Sequence, residues 1–409
     1  MNNIDVKSIN LADNEFWKNA DREAAFATLR ADLPVSWHEF PAGTPESGQK
    51  GFWAVTRYDD VVAVSSDSKL FINGEGTIMG DQSVEEAHQE GWFLNMDATQ
   101  HFKLRQVVAR AFSPQGVTKM TQAAQNYAQK IVAAVKERGE CDYAREVAQP
   151  FPVEVVCDFL GAPQENRRRL HELTVTALAG DVLGADAPRA IAAAFAEMND
   201  YGKQLAKEKR KNLGDDILSQ IITTQVEGRS LSDEEAGYFF QLLVTAGMET
   251  TGTVGGHSMK CFLEFPEQMQ VWANDPQGVG ATGFEELVRW ITPVMHMRRT
   301  ATQDTEIAGQ AIKAGEKVVM WYNSANRDES KFVNPNIFDV RRNPNPHLGF
   351  GGGGRHTCLG AHLARLELPF LVAETLKQMK NIEPAGEPVL VPSRFVNGLA
   401  SMPIRFTAA

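Results

Sequence analysis

Apolar residues recur every three or four positions through most of the chain after residue 85, which is the spacing of amphipathic helices. Residues 115–138 show the pattern well, because apolar side chains fall on one face before Gly139 ends the helix. These side chains are Val117, Met120, Ala124, Tyr127, Ile131 and Val135. Earlier in the chain, the run GFWAVTRYDDVVAVSSD predicts a strand followed by a short helix.

The clearest helix start is the segment LSDEE. Ser232 can cap the helix, and Glu235 stands three residues later, as a capping box requires. The helical pattern continues to about Phe265, and Pro266 ends it. The sequence therefore predicts one helix over about 233–265, roughly 45 Å long at about 1.5 Å per residue.

Short strands and turns return between residues 300 and 345. The C-terminal segment VPSRFVNGLASMPIRF predicts a hairpin around Asn397-Gly398. No low-complexity linker or internal repeat divides the chain. We therefore expect residues 1–409 to form one domain that is mainly α with small β-sheets.

Composition and charge narrow the function classes. The chain is 43% hydrophobic, which is enough for a large core, and its formal charge of -11 disfavours nucleic-acid binding. The N-terminal residues lack the cationic start and apolar run of a signal peptide, and no later stretch approaches the length of a membrane-spanning helix. We expect a cytoplasmic protein without a membrane anchor that acts on small molecules.

The segment HLGFGGGGRHTCLG, residues 347–360, places four glycines just before a cysteine. It could be a dinucleotide-binding loop, a turn before a buried cysteine, or a metal site built on one thiolate. Gly349, Gly351 and Gly354 match the dinucleotide fingerprint literally, but the preceding RRNPNPHL cannot be the buried strand that this fingerprint needs. The four cysteines of the chain show no CxxC or zinc-finger spacing.

Cys358 stands just ahead of LGAHLARLEL, whose leucines recur at helical spacing. A thiol at a helix N-terminus is favoured as the thiolate, because free N–H groups and the positive dipole end face it. The glycines upstream let the backbone bend and leave room for a flat ligand. A single thiolate with an open face suits heme iron.

This loop resembles the heme-ligand loop of the cytochrome P450 family, Phe-x-x-Gly-x-x-x-Cys-x-Gly. Gly354, His356, Cys358 and Gly360 match, while Phe350 stands one place early because of an extra glycine. The resemblance implies a cytochrome P450 fold, with an α-rich lobe and a small β-rich lobe. It also implies heme b as cofactor, with Cys358 as the axial ligand of the iron and with Phe350, Gly351 and Gly360 beside the heme.

Two more groups of residues resemble the family. Glu286 and Arg289 in FEELVRW match its Glu-x-x-Arg pair, and Arg342 falls where a third partner is expected. Alone, such a pair is usually exposed and contributes little to stability. Together with the loop, it indicates a buried network that supports the heme pocket. Four residues match the positions that bind the heme propionates, although each alone would be read as an exposed polar group. They are His101, Arg105, Arg299 and His356.

Inside the long helix, the run AGMETT holds the weak helix formers Gly247, Thr250 and Thr251. Ordinary helix packing would explain them. The resemblance instead implies an oxygen-activating notch, with Ala246 against the heme and a hydroxyl that takes up a backbone bond and locally opens the helix. In this reading Thr250 holds the hydrogen-bond network around dioxygen, and Glu249 relays protons.

By resemblance, the reaction inserts one atom of O2 into an apolar small molecule: a terpenoid, a steroid, a fatty acyl chain or an aromatic natural product. Electrons would come from NAD(P)H through a separate ferredoxin reductase and ferredoxin, since the chain ends after the C-terminal hairpin. A peroxide-driven heme oxygenase and a non-catalytic heme sensor are the alternatives, and the Glu249–Thr250 pair disfavours both. We expect a monomer that docks an acidic ferredoxin on a basic cluster. The cluster comprises Lys103, Arg105, Arg110, Arg355 and Arg365.

Candidate substrate contacts follow from resemblance alone. They lie in residues 74–95, in GDVLGAD at 180–186, and at Leu243, Val244, Val294, Met295, His296 and the segment Val396 to Leu399. Most are apolar, which indicates an apolar substrate. His296 could anchor a polar group of the substrate, or it could be a core histidine.

Overall fold

The structure, a computed structural model, describes residues 4–42, 49–85, 91–178 and 187–409. Within these ranges the α-helices with defined bounds are α1 (Asn14–Asn19), α2 (Arg22–Asp32), α3 (Tyr58–Ser66), α4 (Ala98–Ala109), α5 (Pro114–Val117), α6 (Thr121–Lys136), α7 (Pro150–Leu160), α8 (Gln164–Leu178), α9 (Ala187–Lys211), α10 (Ile217–Thr223), α11 (Asp233–Glu264), α12 (Pro266–Asn274), α13 (Pro276–Ile291), α14 (Tyr322–Ala325) and α15 (Ala361–Gln378). The described strands are β1 (Val35–Glu39), β2 (Gly51–Val55), β3 (Phe71–Ile72), β4 (Glu140–Asp142), β5 (Gln225–Val226), β6 (Arg229–Ser230), β7 (His296–Ala301), β8 (Thr305–Ile307), β9 (Gln310–Ile312), β10 (Lys317–Trp321), β11 (Met379–Pro384), β12 (Val389–Leu390), β13 (Leu399–Ser401) and β14 (Pro403–Ala408). Short 3-10 turns lie at Val6–Ser8, Phe93–Asn95 and Thr118–Met120, and a π-helical turn lies at Ala144–Ala148.

Helix α11 confirms the predicted long helix. Ser232 accepts from the backbone N–H of Glu235, and Glu235 accepts from the backbone N–H of Ser232, so both halves of the capping box are formed. Phe265 caps the other end, and Pro266 opens α12, where a missing N–H costs nothing. Helix α11 packs against α7, α8, α9 and α15, so it runs through the centre of the helical core.

The predicted helix at 115–138 forms in pieces. Ser113 caps α5, a 3-10 turn follows, and α6 completes the segment. The predicted apolar face is nevertheless correct, because Val117, Met120, Ala124 and Val135 are buried in the main core. The strand and short helix predicted from GFWAVTRYDDVVAVSSD are confirmed as β2 and α3.

The largest sheet has the strand order β1-β2-β10-β7-β3. Strand β10 is central, parallel to β2 and antiparallel to β7, and all five of its residues are buried. Its side chains alternate between two small cores: Val319 and Trp321 join one, and Val318 and Met320 join the other. This sheet carries Arg299 on β7, where it lies opposite Val318 of β10.

The C-terminal hairpin exists, but its predicted position is wrong. Strands β12 and β13 pair, and the connection between them spans residues 391–398. Asn397 lies at the end of that connection, where its backbone N–H donates to Pro293 and its side chain donates to Ile291. These bonds to another segment, rather than a two-residue turn, decide its conformation.

In the described part of the chain, no helix is both long and apolar enough to span a membrane.

Candidate functional site

Cys358 lies at the start of α15, where the predicted thiolate site falls. Its backbone N–H donates to the carbonyl of Phe350 at 2.9 Å. Desolvation by the surrounding residues raises the pKa of the thiol, although its surface stays accessible; the backbone N–H groups of Gly360 and Ala361 and the guanidinium of Arg105 oppose that shift. Cys358 is exposed, whereas Cys141, Cys157 and Cys261 are buried. One thiol is therefore accessible, with donors that would stabilise its anion once a cation binds it.

The glycine run lets the loop pass close over α3. Gly354 has a φ of +78°, and a Cβ there would lie 2.5 Å from the carbonyl oxygen of Ser65. A Cβ on Gly352 would lie 2.9 Å from the Cβ of Ser65. The hydroxyl of Ser65 also donates to the carbonyl of Gly353 at 2.9 Å. The glycines therefore fit the loop against α3. A dinucleotide site would require a strand just before the glycines, but residues 343–349, all of them described, include no strand.

His101 and Arg105 on α4, Arg299 on β7 and His356 in the loop itself converge. The rings of His101 and His356 lie 4.0 Å apart between centroids. Arg105 donates to the carbonyl of Thr357 at 2.6 Å, inside the loop. Arg299 is 4% exposed and acts electrostatically on both histidines. The structure thus brings together four predicted residues that lie far apart in sequence.

This cluster is short of anions. Among the described residues, neither Arg105 nor Arg299 forms a salt bridge, and Nε2 of His101 and Nδ1 of His356 are buried without a hydrogen-bond partner. Burial and the neighbouring arginines lower the pKa of His101 to about 4. Buried polar atoms without partners normally mark a missing ligand atom. Two carboxylates in front of an accessible thiol would satisfy this set, which is what heme presents.

Glu286, Arg289 and Arg342 form one buried network. The Arg289 guanidinium donates to both carboxylate oxygens of Glu286, at 2.7 and 2.8 Å, and both side chains are 0% exposed. Arg342 donates to the same carboxylate at 3.1 Å. Asn345, which the sequence reading missed, donates to it at 3.1 Å. The network joins α13 to the segment that leads into the Cys358 loop.

The predicted notch lies in the middle of α11. Ala246 is exposed, and Glu249 and Thr250 are half-buried, within a helix that is otherwise mostly buried. The hydroxyl of Thr250 donates to the carbonyl of Ala246 at 2.7 Å. The helix does not open, however, because α11 is an uninterrupted α-helix from Asp233 to Glu264. Burial raises the pKa of Glu249.

Several predicted substrate contacts are corrected by burial. Val244, Met295 and His296 are 0%, 2% and 1% exposed, and their side chains pack into the core. Nδ1 of His296 is hydrogen-bonded to the carbonyl of Arg394, and the ring lies between the Trp321 and Phe395 rings. Its buried Nε2 has no partner, but this enclosure favours a core histidine.

The other candidates keep some accessible surface or cannot be placed. Leu243 and Val396 are 8% and 4% exposed, and Val294 is half-buried and bridges to Val396 through the backbone. Residues 86–90 and 180–186 lie outside the described residues.

The predicted basic cluster is smaller than expected. Lys103 pairs with Glu227, Arg365 pairs with Glu285, and Arg105 turns inward to Thr357. Arg110 and Arg355 are exposed and form no salt bridge within the described ranges. Sequence reasoning could not foresee these partners, because Glu285 and Arg365 lie 80 residues apart.

Sequence reasoning also missed Glu367, a buried carboxyl on α15. Its side chain is 1% exposed and hydrogen-bonds to Thr251 of α11, the residue after Thr250. Burial raises the pKa of Glu367 to about 8, although that hydrogen bond opposes the shift. The only signal in the sequence was a charge at a position that helical periodicity places near the apolar face.

Comparisons with known proteins agree with this geometry. Residues 283–406 match the profile of the family described as Cytochrome P450. The methyl-branched lipid omega-hydroxylase of Mycobacterium tuberculosis is 38% identical, over 99% of this chain and 96% of the relative. The steroid C26-monooxygenase of Mycolicibacterium smegmatis is 35% identical, over 94% and 90%. A solved cytochrome P450 of Mycobacterium marinum in complex with pseudoionone superposes with a TM-score of 0.92 at 37% identity, covering 99% of this chain and 100% of that one.

The mainly helical fold with small sheets is therefore the cytochrome P450 fold, and the chain belongs to the bacterial cytochrome P450 family. Its relatives are named as a hydroxylase and a monooxygenase, and the chain is a P450 monooxygenase, for which the family implies heme.

Proposed function

We propose that the chain binds heme b through Cys358 and hydroxylates an apolar, methyl-branched substrate. The observation that carries the heme site is the pairing of an accessible thiol with four donors that lack anions. Cys358 would ligate the iron, and His101, Arg105, Arg299 and His356 would hold the two propionates. Phe350, Gly351 and Gly360 would line the ring, with Ala246 facing it from α11.

When bound, the heme supplies the iron that activates dioxygen. Thr250 commits its hydroxyl proton to Ala246, so its oxygen is left to accept a hydrogen bond from the site. Glu249 would deliver protons, because burial raises its pKa and so increases the fraction that carries a proton near neutral pH. Glu286, Arg289 and Arg342 would keep the Cys358 loop in place.

The substrate proposal rests on what the relatives share. One is named for the omega position of a methyl-branched lipid, another for C26 of a steroid, and the solved neighbour holds pseudoionone. The first of these names gives both a methyl-branched molecule and oxidation at its omega end. Ala246 and Val294 offer accessible apolar surface that suits an apolar substrate. From the name of the lipid hydroxylase, we propose oxidation at the end of a methyl-branched chain rather than on a ring.

Electrons would come from NAD(P)H through a ferredoxin reductase and a separate ferredoxin. Of the five residues in the predicted basic cluster, Arg110 and Arg355 are exposed and form no salt bridge within the described ranges, so an acidic ferredoxin would dock beside them. Arg355 lies in the Cys358 loop, and α5, which begins four residues after Arg110, contacts α15. We further propose that residues 1–409 act as one domain, in the cytoplasm and as a monomer.

The test is the ferrous carbon monoxide spectrum of the heme-loaded protein, followed by turnover. The wild type should show the absorption band of a thiolate-ligated heme, and Cys358→Ser should lose it; a wild type without that band would sink the ligand assignment. Product should form only with NAD(P)H, O2 and added redox partners. Product with peroxide alone would favour the peroxide-driven alternative, and a spectrum without product under either condition would favour the sensor.

Substrate class can be tested by displacement of the axial water, seen as a Soret shift. A methyl-branched fatty acid should shift the spectrum at lower concentration than the linear acid of equal carbon number. Equal affinities would contradict the proposed preference for a branched chain end.

A further inference from the structure

A cluster of side chains to which no role at the heme has been assigned surrounds Phe350. Arg365 donates to both carboxylate oxygens of Glu285, at 2.5 and 3.1 Å, and its guanidinium lies 4.5 Å from the centroid of the Phe350 ring. His347 lies on the same ring at 5.6 Å and is bonded to Glu285 at 2.7 Å. Phe284, next to Glu285, packs 6.2 Å from Phe350. Glu285 is therefore hydrogen-bonded to both Arg365 and His347, which contact the Phe350 ring. We call the group of Phe284, Glu285, His347 and Arg365 the clamp.

This clamp reaches Cys358 by two routes. The first is a hydrogen bond, because the carbonyl of Phe350 accepts the backbone N–H of Cys358 at 2.9 Å. The second is electrostatic, because Arg365 is among the cations that act on the Cys358 thiol. Any change in the position or net charge of the Glu285–Arg365 pair therefore changes the electrostatic potential at the sulfur.

The charge states within the clamp follow from its hydrogen bonds. Burial alone would raise the pKa of Glu285, but the bonds from His347 and Arg365 bring it to about 2, so Glu285 is ionised at neutral pH. Nδ1 of His347 accepts from the backbone N–H of Gly349, at 3.1 Å. That nitrogen is therefore unprotonated, and the proton lies on Nε2, which donates to Glu285. Glu285 remains as a negative charge that offsets Arg365.

We propose that Glu285 is a positioning residue that sets the reduction potential of the heme iron, by holding Arg365 on Phe350 and offsetting its charge beside the sulfur. The inference rests on the proposed ligation of the iron by Cys358. One-electron reduction of ferric heme adds a negative charge, so an uncompensated cation near the sulfur favours the ferrous form, and an uncompensated carboxylate favours the ferric form.

The experiment measures the reduction potential of heme-loaded wild type and three variants. Glu285→Gln leaves Arg365 uncompensated, so its potential should rise above the wild-type value. Arg365→Gln leaves Glu285 uncompensated, so its potential should fall below it. The double variant removes both charges and should return close to the wild type. Because both side chains are partly exposed, the two shifts should shrink as ionic strength rises.

Two further variants separate this role from ordinary stabilisation. Glu374→Gln removes another ion pair on α15, with Lys377, and should leave the potential unchanged. Arg365→Lys keeps the positive charge but loses the bidentate hydrogen bond to Glu285. The reduction potential of this variant should therefore stay nearer the wild-type value than that of Arg365→Gln. The proposal is overturned if both single variants shift in the same direction, or if neither shifts while their thermal stability falls.

The wild-type ferrous carbon monoxide spectrum distinguishes failure of the Cys358 ligand assignment from failure of the proposed role of Glu285. A wild type without the thiolate band would refute Cys358 as ligand. A normal wild-type band with unchanged potentials in the variants would refute only the role of Glu285.

Discussion

The imidazoles of His101 and His356 face each other with ring centroids 4.0 Å apart, and each keeps one buried nitrogen without a partner. His101 is buried and His356 is half-buried, and Arg105 and Arg299 beside them disfavour protonation of both rings, so the group is unfavourable unless an anion joins it. This arrangement explains why the pair should bind a carboxylate rather than stabilise the fold by itself.

His101→Phe should weaken heme binding. The ring volume is kept, but one hydrogen bond to a charged carboxylate is lost, which corresponds to roughly a tenfold to hundredfold lower affinity. Transfer of heme to an apoprotein acceptor measures the effect. His362→Phe, an exposed change on α15, is the control. Equal heme retention in both variants would contradict a role for His101 at the propionates.

Thr250→Ala should uncouple electron consumption from product formation, because the oxygen that accepts a hydrogen bond from the site is lost. Thr250→Ser keeps that oxygen and should keep most of the coupling. The measurement is product formed per NAD(P)H consumed, with peroxide release followed in parallel. Coupling that is unchanged in the alanine variant would remove Thr250 from the proposed hydrogen-bond network.

Glu286→Gln should destabilise the protein strongly. It leaves Arg289, which is 0% exposed, without its charge partner, and breaking a buried pair in this way costs about 3 to 5 kcal/mol. Denaturant unfolding of the heme-loaded protein measures the loss. The control is Arg169→Gln on α8, which breaks the exposed pair with Glu197 and should have no measurable effect. Similar midpoints for the two variants would show that the network adds nothing.

Glu367→Gln should change how stability depends on pH. The folded pKa of about 8 lies above the ordinary value of 4.5, so the folded state holds the proton more tightly between these pH values. Wild-type stability should therefore decline as pH rises from about 5 to about 8 relative to the variant, whose side chain does not titrate. Unfolding of both proteins across this range tests it. Parallel profiles would mean that the carboxyl is not buried as described. Glu374→Gln, at a partly exposed carboxyl on the same helix, serves as the control.

Arg355→Gln should slow the first electron transfer from an acidic ferredoxin. Arg355 is exposed in the Cys358 loop and is not in a salt bridge within the described ranges, so its charge is available for steering. Stopped-flow reduction at increasing ionic strength measures the effect, with Arg168→Gln on α8 as control. A wild-type rate that is indifferent to salt would contradict electrostatic docking.

Much of the site was predictable where its geometry is local. A capping box defines the start of α11, the spacing of Glu286 and Arg289 places both on one face of α13, and a cysteine before a helical repeat defines a thiol at a helix N-terminus. In each case the relevant atoms lie within about one helical turn of each other, so backbone geometry alone relates them.

Contacts across the chain were decided only by the tertiary structure. Arg365 looked like a free cation until folding brought Glu285 to it over 80 residues, and His296 looked able to meet a substrate until Trp321 and Phe395 enclosed it. Asn397 looked like a tight turn, but bonds to Ile291 and Pro293 hold it elsewhere. Periodicity says which face of an element is apolar, whereas the packing of whole elements determines which side chain meets that face and which charge is paired.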